Sequence, residues 1–319
     1  MLPPAHAGSS AIVWSPPTRA DHFRVAVDTA TGVRFTLRAT SSLREATVQI
    51  LPSRELPRGA KLTSVAGTVA IATFRWVPTY GGDFTLRFVA SIHGRRATAS
   101  RTYRIHVVPK LVPLTNRKIA HWGAVLKPAV ARAAPKDASR VVTTLGATTI
   151  DGTQNDVLVL GSISFGPDET WYHVRLPILP NNSTGWVRAN ALSPLYTVHT
   201  HLYVDRAKLR ATLERDGRPI FTTIVGVGHS YWPTPRGQFY VRDKLTNYGD
   251  PVYGPVMFGI SARSAVLTDW PGGGYVGIHG TNEPQILPGY VSHGCIRMTN
   301  ASILRLAQLM HVGTPVTIR

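Results

Sequence analysis

The only cysteine of this 319-residue chain lies in Val291-Ser292-His293-Gly294-Cys295-Ile296-Arg297-Met298, sixteen positions after His279. A lone thiol cannot form an internal disulfide, so its role is packing, metal binding or nucleophilic attack. A thiol attacks only as the thiolate, and it therefore needs a base or a positive environment that lowers its pKa from roughly 8.5. His279 and His293 are the two candidates for that base.

The neighbours of the cysteine favour a reactive thiol over a buried one. Ser292, His293 and Gly294 are polar or small, which is not the pattern of a regular apolar strand or helix. Gly294 also lets a substrate carbonyl approach the backbone closely, and it leaves main-chain N–H groups free to face a developing oxyanion. Zinc sites use several cysteines or a Cys/His set at short paired spacings, and the sequence has neither H-E-x-x-H nor C-x-x-C. We therefore predict neither a metal nor a cofactor.

The wider sequence around Cys295 resembles the catalytic signature of the L,D-transpeptidases, cell-wall enzymes of the YkuD type. The central part of the resemblance comprises residues 279–284, 287–289 and 291–298. Further segments resemble that domain in the same order, namely 225–228, 233–239, 253–255 and 313–318. The resemblance covers about residues 200–319, and its central motif is long and specific.

The resemblance implies that Cys295 is the nucleophile and that His279 is the general base. His279 would take the thiol proton and later give one to the leaving amine, as an imidazole titrating near neutrality can do. In the family this histidine is oriented by an oxygen of the residue that follows it, and Gly280 can offer only its backbone carbonyl.

The other residues of the motif would have supporting roles. His293 and Ser292 would shape the site, and the backbone N–H groups of Gly294 and Cys295 would stabilise the oxyanion. Arg297 stands where the commonest form of the motif has asparagine. We interpret it as a contact for a substrate carboxylate, and a structural or surface ion pair is the alternative.

The implied reaction is acyl transfer in two steps. Cys295 attacks the carbonyl of the third-position diamino acid of a peptidoglycan tetrapeptide stem, and the terminal D-alanine leaves. An amine on a neighbouring stem then opens the thioester and forms a cross-link. Water as acceptor would instead make the protein an L,D-carboxypeptidase or another thiol hydrolase. A third hypothesis is a non-catalytic, wall-binding spacer protein, against which the intact Cys295, His279 and His293 argue.

The fold is predicted to be mainly β, with three modules. Alternating apolar and polar residues, as in Phe84 to Phe88 and Tyr103 to Val107, favour an immunoglobulin-like sandwich over 11–109. Residues 110–138 form a linker or the start of the next module, and 139–196 resemble a small bacterial SH3-like barrel. Its tryptophans are explained equally well by burial and by a binding groove.

Residues 197–319 are predicted to form the YkuD-type catalytic β-sandwich. A hairpin is expected around Asp216-Gly217, whose residue types suit a tight turn. One short helix is expected near the C-terminal end, with Asn300 as its cap and Gly313 as its stop. Four residues would share its apolar face, namely Ile303, Leu306, Ala307 and Met310.

The chain is strongly basic, with a formal net charge of +18 at pH 7. The resemblance implies peptidoglycan stem peptides as substrate. The N-terminal part carries the largest excess of cations, and because a basic face attracts polyanions we expect anionic wall polymers or lipid headgroups as further partners. Nucleic acid is not expected, because the sequence has no base-reading motif and its charges are spread out. We also expect a monomer.

An extracytoplasmic location, in the cell wall or at the cell surface, is expected from this chemistry. No apolar run approaches the roughly eighteen residues that a membrane span requires. Residues 1–10 contain Ala5-His6-Ala7 followed by a glycine, which resembles the small-residue end of a cleavable signal. We therefore predict that the sequence begins with the remnant of a signal peptide.

Overall fold

The computed structural model of the protein describes residues 11–15, 22–27, 32–246, 249–267 and 273–319, so the signal-peptide prediction for 1–10 lies outside the described residues. The chain divides into two compact units, Met1–Lys110 with Ser164–Asp168 and Leu111–Ile163 with Glu169–Arg319. The architecture is mainly β, as predicted. Among the described residues, no helix is both long enough and apolar enough to span a membrane.

The first unit contains two four-stranded sheets. Their strands are β1 (Ile12–Trp14), β2 (His22–Ala26), β3 (Val33–Ser41), β4 (Val48–Pro52), β5 (Lys61–Val65), β6 (Val69–Trp76), β7 (Gly82–Ile92) and β8 (Thr98–Val108). One sheet has the order β1-β3-β6-β5 and the other β2-β8-β7-β4. The expected alternation is confirmed in β7 and β8, where Leu86, Phe88, Tyr103, Ile105 and Val107 are buried and the residues between them are mostly exposed.

Aromatic rings from both sheets meet in the core of the first unit. The Phe35 ring of β3 stacks on Tyr103 of β8 with centroids 4.2 Å apart, and Phe88 of β7 lies edge-on to Phe74 of β6 at 6.0 Å. Such ring contacts add to the stabilisation that burial of apolar area provides. The immunoglobulin-like assignment of this segment stays a prediction.

The outer face of one sheet carries an in-register row of cations. Arg34 of β3 lies directly opposite Arg75 of β6, and Arg75 lies opposite Lys61 of β5. All three residues are exposed. Like charges that face each other across neighbouring strands are destabilising, so this row lowers the stability of the sheet.

The N-terminal part of the second unit forms an eight-stranded sheet. Its strands are β9 (Val112–Pro113), β10 (Ala120–Ala124), β11 (Ala129–Arg132), β12 (Val141–Leu145), β13 (Asp156–Ser164), β14 (Thr170–Arg175), β15 (Thr184–Arg188) and β16 (Tyr196–Val198). Trp171 is fully buried beneath the Arg188 guanidinium, 4.3 Å from its ring centroid. The Trp186 ring stacks on His173. Burial therefore accounts for Trp171, and the SH3-like assignment stays a prediction.

The remainder of the second unit is a ten-stranded sheet with one α-helix. It comprises β17 (Thr200–Asp205), β18 (Arg210–Arg215), β19 (Arg218–Ile224), β20 (Gly226–Gly228), β21 (Gly237–Thr246), β22 (Val256–Arg263), β23 (Tyr275–His279), β24 (Gly289–Ser292), β25 (Ile296–Arg297), α1 (Asn300–Leu309) and β26 (Pro315–Ile318). The strand order is β19-β18-β17-β26-β21-β22-β23-β25-β20-β24. The predicted hairpin is confirmed, since Asp216 and Gly217 both have the positive φ of a tight two-residue turn.

The helix α1 packs its predicted apolar face into the core, but its predicted cap is wrong. Ile303, Leu306 and Met310 are fully buried. Thr299, with extended backbone angles, is the N-cap and accepts a hydrogen bond from the Ser302 N–H. Asn300 is the first helical residue, and its Oδ1 instead accepts a hydrogen bond from the Thr281 N–H at 3.0 Å.

Candidate active site

The pairing of two short strands brings the predicted nucleophile and base together. β23 and β25 run parallel, with Ile278 opposite Ile296 and His279 opposite Arg297. Cys295 immediately precedes β25, and its Sγ accepts a hydrogen bond from the Gly277 N–H at 3.4 Å. Because side chains alternate along a strand, the catalytic candidates share one side of this pair and the two isoleucines point into the core.

A cavity of about 290 Å³ lies on that side of the two strands. Its described lining residues include Cys295, His279, His293, Gly294 and Arg297. The structure thus brings five of the predicted site residues to one cavity. The other two, Ser292 and Gly280, do not line the cavity and instead hold its walls through hydrogen bonds.

His279 is buried and held in one orientation. It is only 1% exposed, and its Nδ1 lies 2.6 Å from the Gly280 carbonyl oxygen, the contact that the family resemblance implied. A carbonyl only accepts, so Nδ1 carries the proton and Nε2 is the basic nitrogen. Burial, with a smaller contribution from the Arg297 charge, lowers the pKa of His279 to about 4. The imidazole is therefore neutral at pH 7 and able to accept a proton.

Burial favours the protonated form of the Cys295 thiol. Burial raises its pKa, while the Gly277 N–H and the Arg297 charge act in the opposite direction. Two neutral groups in one cavity avoid the large penalty of burying an isolated ion. A thiolate consequently has to be formed during attack, by transfer of the proton to a base.

Hydroxyl groups fix the turn that carries the thiol. Ser292 is fully buried, and its Oγ donates to the Cys295 carbonyl at 2.5 Å and accepts from the Gly294 N–H at 3.2 Å. Gly294 has a φ of 117°, a conformation that other residues rarely adopt. The Gly294 N–H, which was one of the two predicted oxyanion donors, is therefore engaged within the turn.

His293 occupies a different environment from His279. It is exposed, and its ring packs against Trp232 and His229, with centroids 4.5 and 5.8 Å away. His229 and Trp232 belong to the loop that joins β20 to β21. Burial and a fixed tautomer favour His279 as the base, whereas His293 forms part of the aromatic rim of the site.

Arg297 supplies positive charge to the cavity without being neutralised by a neighbour. It makes no ion pair with any described residue, and its buried Nε finds no hydrogen-bond partner among them. A guanidinium that lines a cavity without an ion-pair partner is well suited to an incoming carboxylate. The alternative interpretation of Arg297, an ion pair with another residue, therefore finds no partner among the described residues.

Three contributors to the site had no role in the sequence-based interpretation. The Gly277 N–H contacts the thiol, and the Tyr253 ring lies edge-on to the His279 ring at 5.0 Å. Thr234 is 1% exposed and bonds to the turn at Gly294. Tyr253 and Thr234 lie in segments that resemble the family, and this was the only available signal. Within the described residues, no cluster of three or more metal-binding side chains occurs.

Comparisons with known proteins match the C-terminal part of the chain. The family model of the L,D-transpeptidase catalytic domain, YkuD, matches residues 199–318. A putative L,D-transpeptidase YkuD of Bacillus subtilis is 34% identical over 123 residues, which are 39% of this chain and 68% of that protein. The Bacillus licheniformis YkuD is 37% identical over 105 residues, 33% of this chain and 56% of that protein. A solved Enterococcus faecium L,D-transpeptidase is 25% identical, with 38% of this chain and 49% of that chain covered and a TM-score of 0.29.

Proposed function

The chain belongs to the YkuD family of L,D-transpeptidases, and we propose that it cross-links peptidoglycan with Cys295 as its nucleophile. The observation that carries this proposal is the shared cavity of Cys295, His279 and Arg297. A neutral, oriented imidazole that shares the cavity of the thiol can serve as the general base that acyl transfer by a protonated thiol needs. The chain covers only about half of the solved enterococcal enzyme, so we propose the substrate and the partners of this chain together with its activity.

In the first half-reaction, His279 Nε2 accepts the Sγ proton while the sulfur attacks the carbonyl carbon of the third-position residue of a tetrapeptide stem. The Cys295 N–H stabilises the oxyanion, since the neighbouring Gly294 N–H is bonded to Ser292. The C–N bond to the terminal D-alanine then breaks, and the imidazolium returns its proton to the leaving amine. The product is a thioester on Cys295.

In the second half-reaction, an amine on a neighbouring stem attacks the thioester. His279 accepts a proton from that amine and returns it to the departing Cys295 sulfur, which restores the resting site and leaves an amide cross-link. Water in place of the amine gives a free carboxylate, and the protein would then be an L,D-carboxypeptidase. An enzyme with this substrate would act outside the cytoplasm.

Charges around the cavity suit a stem peptide. The Arg297 guanidinium lines the cavity and pairs with no described carboxylate, so its charge can bind the carboxylate of the terminal D-alanine. Asp250 also lines the cavity and is exposed, so it can attract the side-chain amine of a diamino acid. This arrangement favours a substrate that carries both a carboxylate and an amine.

The decisive experiment compares the protein with its Cys295→Ala variant on tetrapeptide muropeptides, with products identified by mass spectrometry. Cross-linked dimers and free D-alanine from the unsubstituted protein alone are the expected result. Tripeptide monomers alone would establish the carboxypeptidase. Identical product patterns from both proteins would contradict any thiol-dependent activity and leave the spacer hypothesis.

A further inference from the structure

A buried threonine hydroxyl joins two glycine-containing segments beneath the cavity. Thr234 Oγ1 accepts a hydrogen bond from the Gly228 N–H and donates one to the Gly294 carbonyl, each at 2.8 Å. Thr234 is 1% exposed and is not among the residues that line the cavity. A Cβ added to Gly228 would lie 2.1 Å from the Trp232 carbonyl oxygen and 2.6 Å from the Thr234 nitrogen, so only glycine allows this close approach.

The bond to the Gly294 carbonyl also determines where the Cys295 N–H points. The two groups belong to one planar, trans peptide unit, in which the C=O and the N–H are directed to opposite sides. Because Thr234 holds the carbonyl on the buried side, the N–H is directed away from Thr234. Gly294 and Cys295 line the cavity, so that direction leads towards the space where the substrate reacts.

This peptide unit needs such a restraint because glycine is conformationally permissive. Gly294 has a φ of 117°, and rotation about its backbone bonds is opposed by few steric contacts. A reversed peptide would present the Gly294 carbonyl, an acceptor, where a donor is required. Catalytic donors are effective when they are already oriented in the resting enzyme, which makes the restraint functionally important.

We propose that Thr234 is a positioning residue for acyl transfer, whose hydroxyl holds the Gly294–Cys295 peptide so that the Cys295 N–H faces the developing oxyanion. The inference rests on the proposed function, because it concerns the donor for that reaction. It also separates two properties of the thiol. Attack on a carbonyl requires the oxyanion donor, whereas alkylation by iodoacetamide forms no oxyanion and does not require it.

The test compares two variants of the full chain. Thr234→Val keeps the side-chain shape and removes both hydrogen bonds, whereas Thr234→Ser keeps the hydroxyl. Acylation of Cys295 by a carbapenem and its alkylation by iodoacetamide are followed by mass spectrometry. We expect Thr234→Val to slow acylation by about 10²-fold, as loss of an oriented oxyanion donor does. Alkylation is expected to change little, and Thr234→Ser to restore most of the acylation rate.

Thr314→Val is the matched control. Thr314 is fully buried in the same unit and bonds to Thr200 at 2.8 Å, away from the cavity, so its loss should leave acylation unchanged. If Thr234→Val does not fold, as judged by thermal unfolding, the comparison of Thr234→Ala with Thr234→Ser decides in its place.

Three results would overturn the inference. Equal acylation rates in Thr234→Val and the unsubstituted protein would show that the hydroxyl is dispensable. A parallel fall of acylation and alkylation would show that the hydroxyl only supports the fold around the thiol. Failure of the unsubstituted protein to be acylated and to process muropeptides would instead refute the proposed function, and this inference with it.

Discussion

In the first unit, the buried side chains of the described residues are apolar or aromatic, whereas the second unit also buries polar and charged side chains. Rings such as Phe74 and Phe88 fill the core of the first unit, and none of its described lysines and arginines is buried. The second unit buries Thr234, His279 and Ser292 close to the thiol.

This difference shows where the protein buries polar groups despite the free-energy cost of their desolvation. Burying a hydroxyl or an imidazole is unfavourable unless hydrogen bonds compensate, and around Cys295 each of these groups has such a bond. Polar burial alone does not identify a catalytic site, since Asp156 and Asp243 are also buried and lie away from the cavity. The combination of compensated polar groups, a thiol and an open cavity is what distinguishes the site.

The largest effect is expected at His279, which is buried beside the thiol. His279→Gln removes the base, and we expect acylation of Cys295 at pH 7 to fall by about 10³-fold, within the range for general-base catalysis. The exposed His293→Gln is the matched control and should cost less than about tenfold. Comparable losses in the two variants, measured by the acyl-enzyme mass, would contradict the assignment of His279 as base.

A substitution in the apolar core of the first unit should change stability and not acylation. Phe88→Ala removes a fully buried ring that contacts three other aromatic rings, and it should lower the free energy of unfolding of this unit by about 3–5 kcal/mol. The acylation rate of Cys295 should stay within about twofold, because the site is built within the second unit. Denaturant unfolding and the acylation rate are measured on one sample. A fall in that rate beyond about twofold would show that the site depends on this core.

The pH dependence of acylation should be smaller than an ordinary histidine would give. A lowered pKa means that the proton-accepting imidazole persists as the pH falls from 6.5 and is lost only below about 4. At pH 5, acylation should therefore retain about nine-tenths of its value at pH 7, whereas with a histidine titrating at about 6.5 it would fall roughly 25-fold. Initial rates between pH 4 and 8 measure this, and an inflection near 6.5 would contradict the environment assigned to His279.

The smallest effect is expected on the outside of the first unit. Arg75→Gln removes the central cation of the row formed by Arg34, Arg75 and Lys61, and it should raise stability by about 0.5 kcal/mol at low salt. The gain should disappear near 1 M salt, where exposed charges are screened. Arg104→Gln on the other sheet is the control, because the residue lies opposite Thr85 and His22 and not opposite a lysine or arginine. A loss of stability in Arg75→Gln would show that the row is not repulsive.

The sequence allowed most residues of the candidate site around the cavity to be predicted, because the motif that carries the family resemblance is a local feature around Cys295 and His279. Strands with one buried face, such as β7 and β8, were also predictable from their alternation. The contact between Thr234 and Gly294 joins residues sixty positions apart, and no local pattern reports such a pairing.

Two other features depended on details that only the folded backbone decides. Thr299 and Asn300 are both acceptable caps by residue type, and the choice between them follows from backbone angles and from the demand of the Thr281 N–H for an acceptor. The role of Gly277 follows from the register of β23 against β25. Strand register couples distant segments, so it is not visible in either segment alone.

The parallel pairing of β23 with β25 has a consequence for how such proteins can diverge. The pairing itself, not the number of residues between His279 and Cys295, brings base and thiol together. Residues inserted between Thr281 and Gly289 would lengthen a connection outside both strands, and the closure entropy of a loop grows only slowly with its length. We therefore expect insertions in this segment to leave the positions of His279 and Cys295 unchanged.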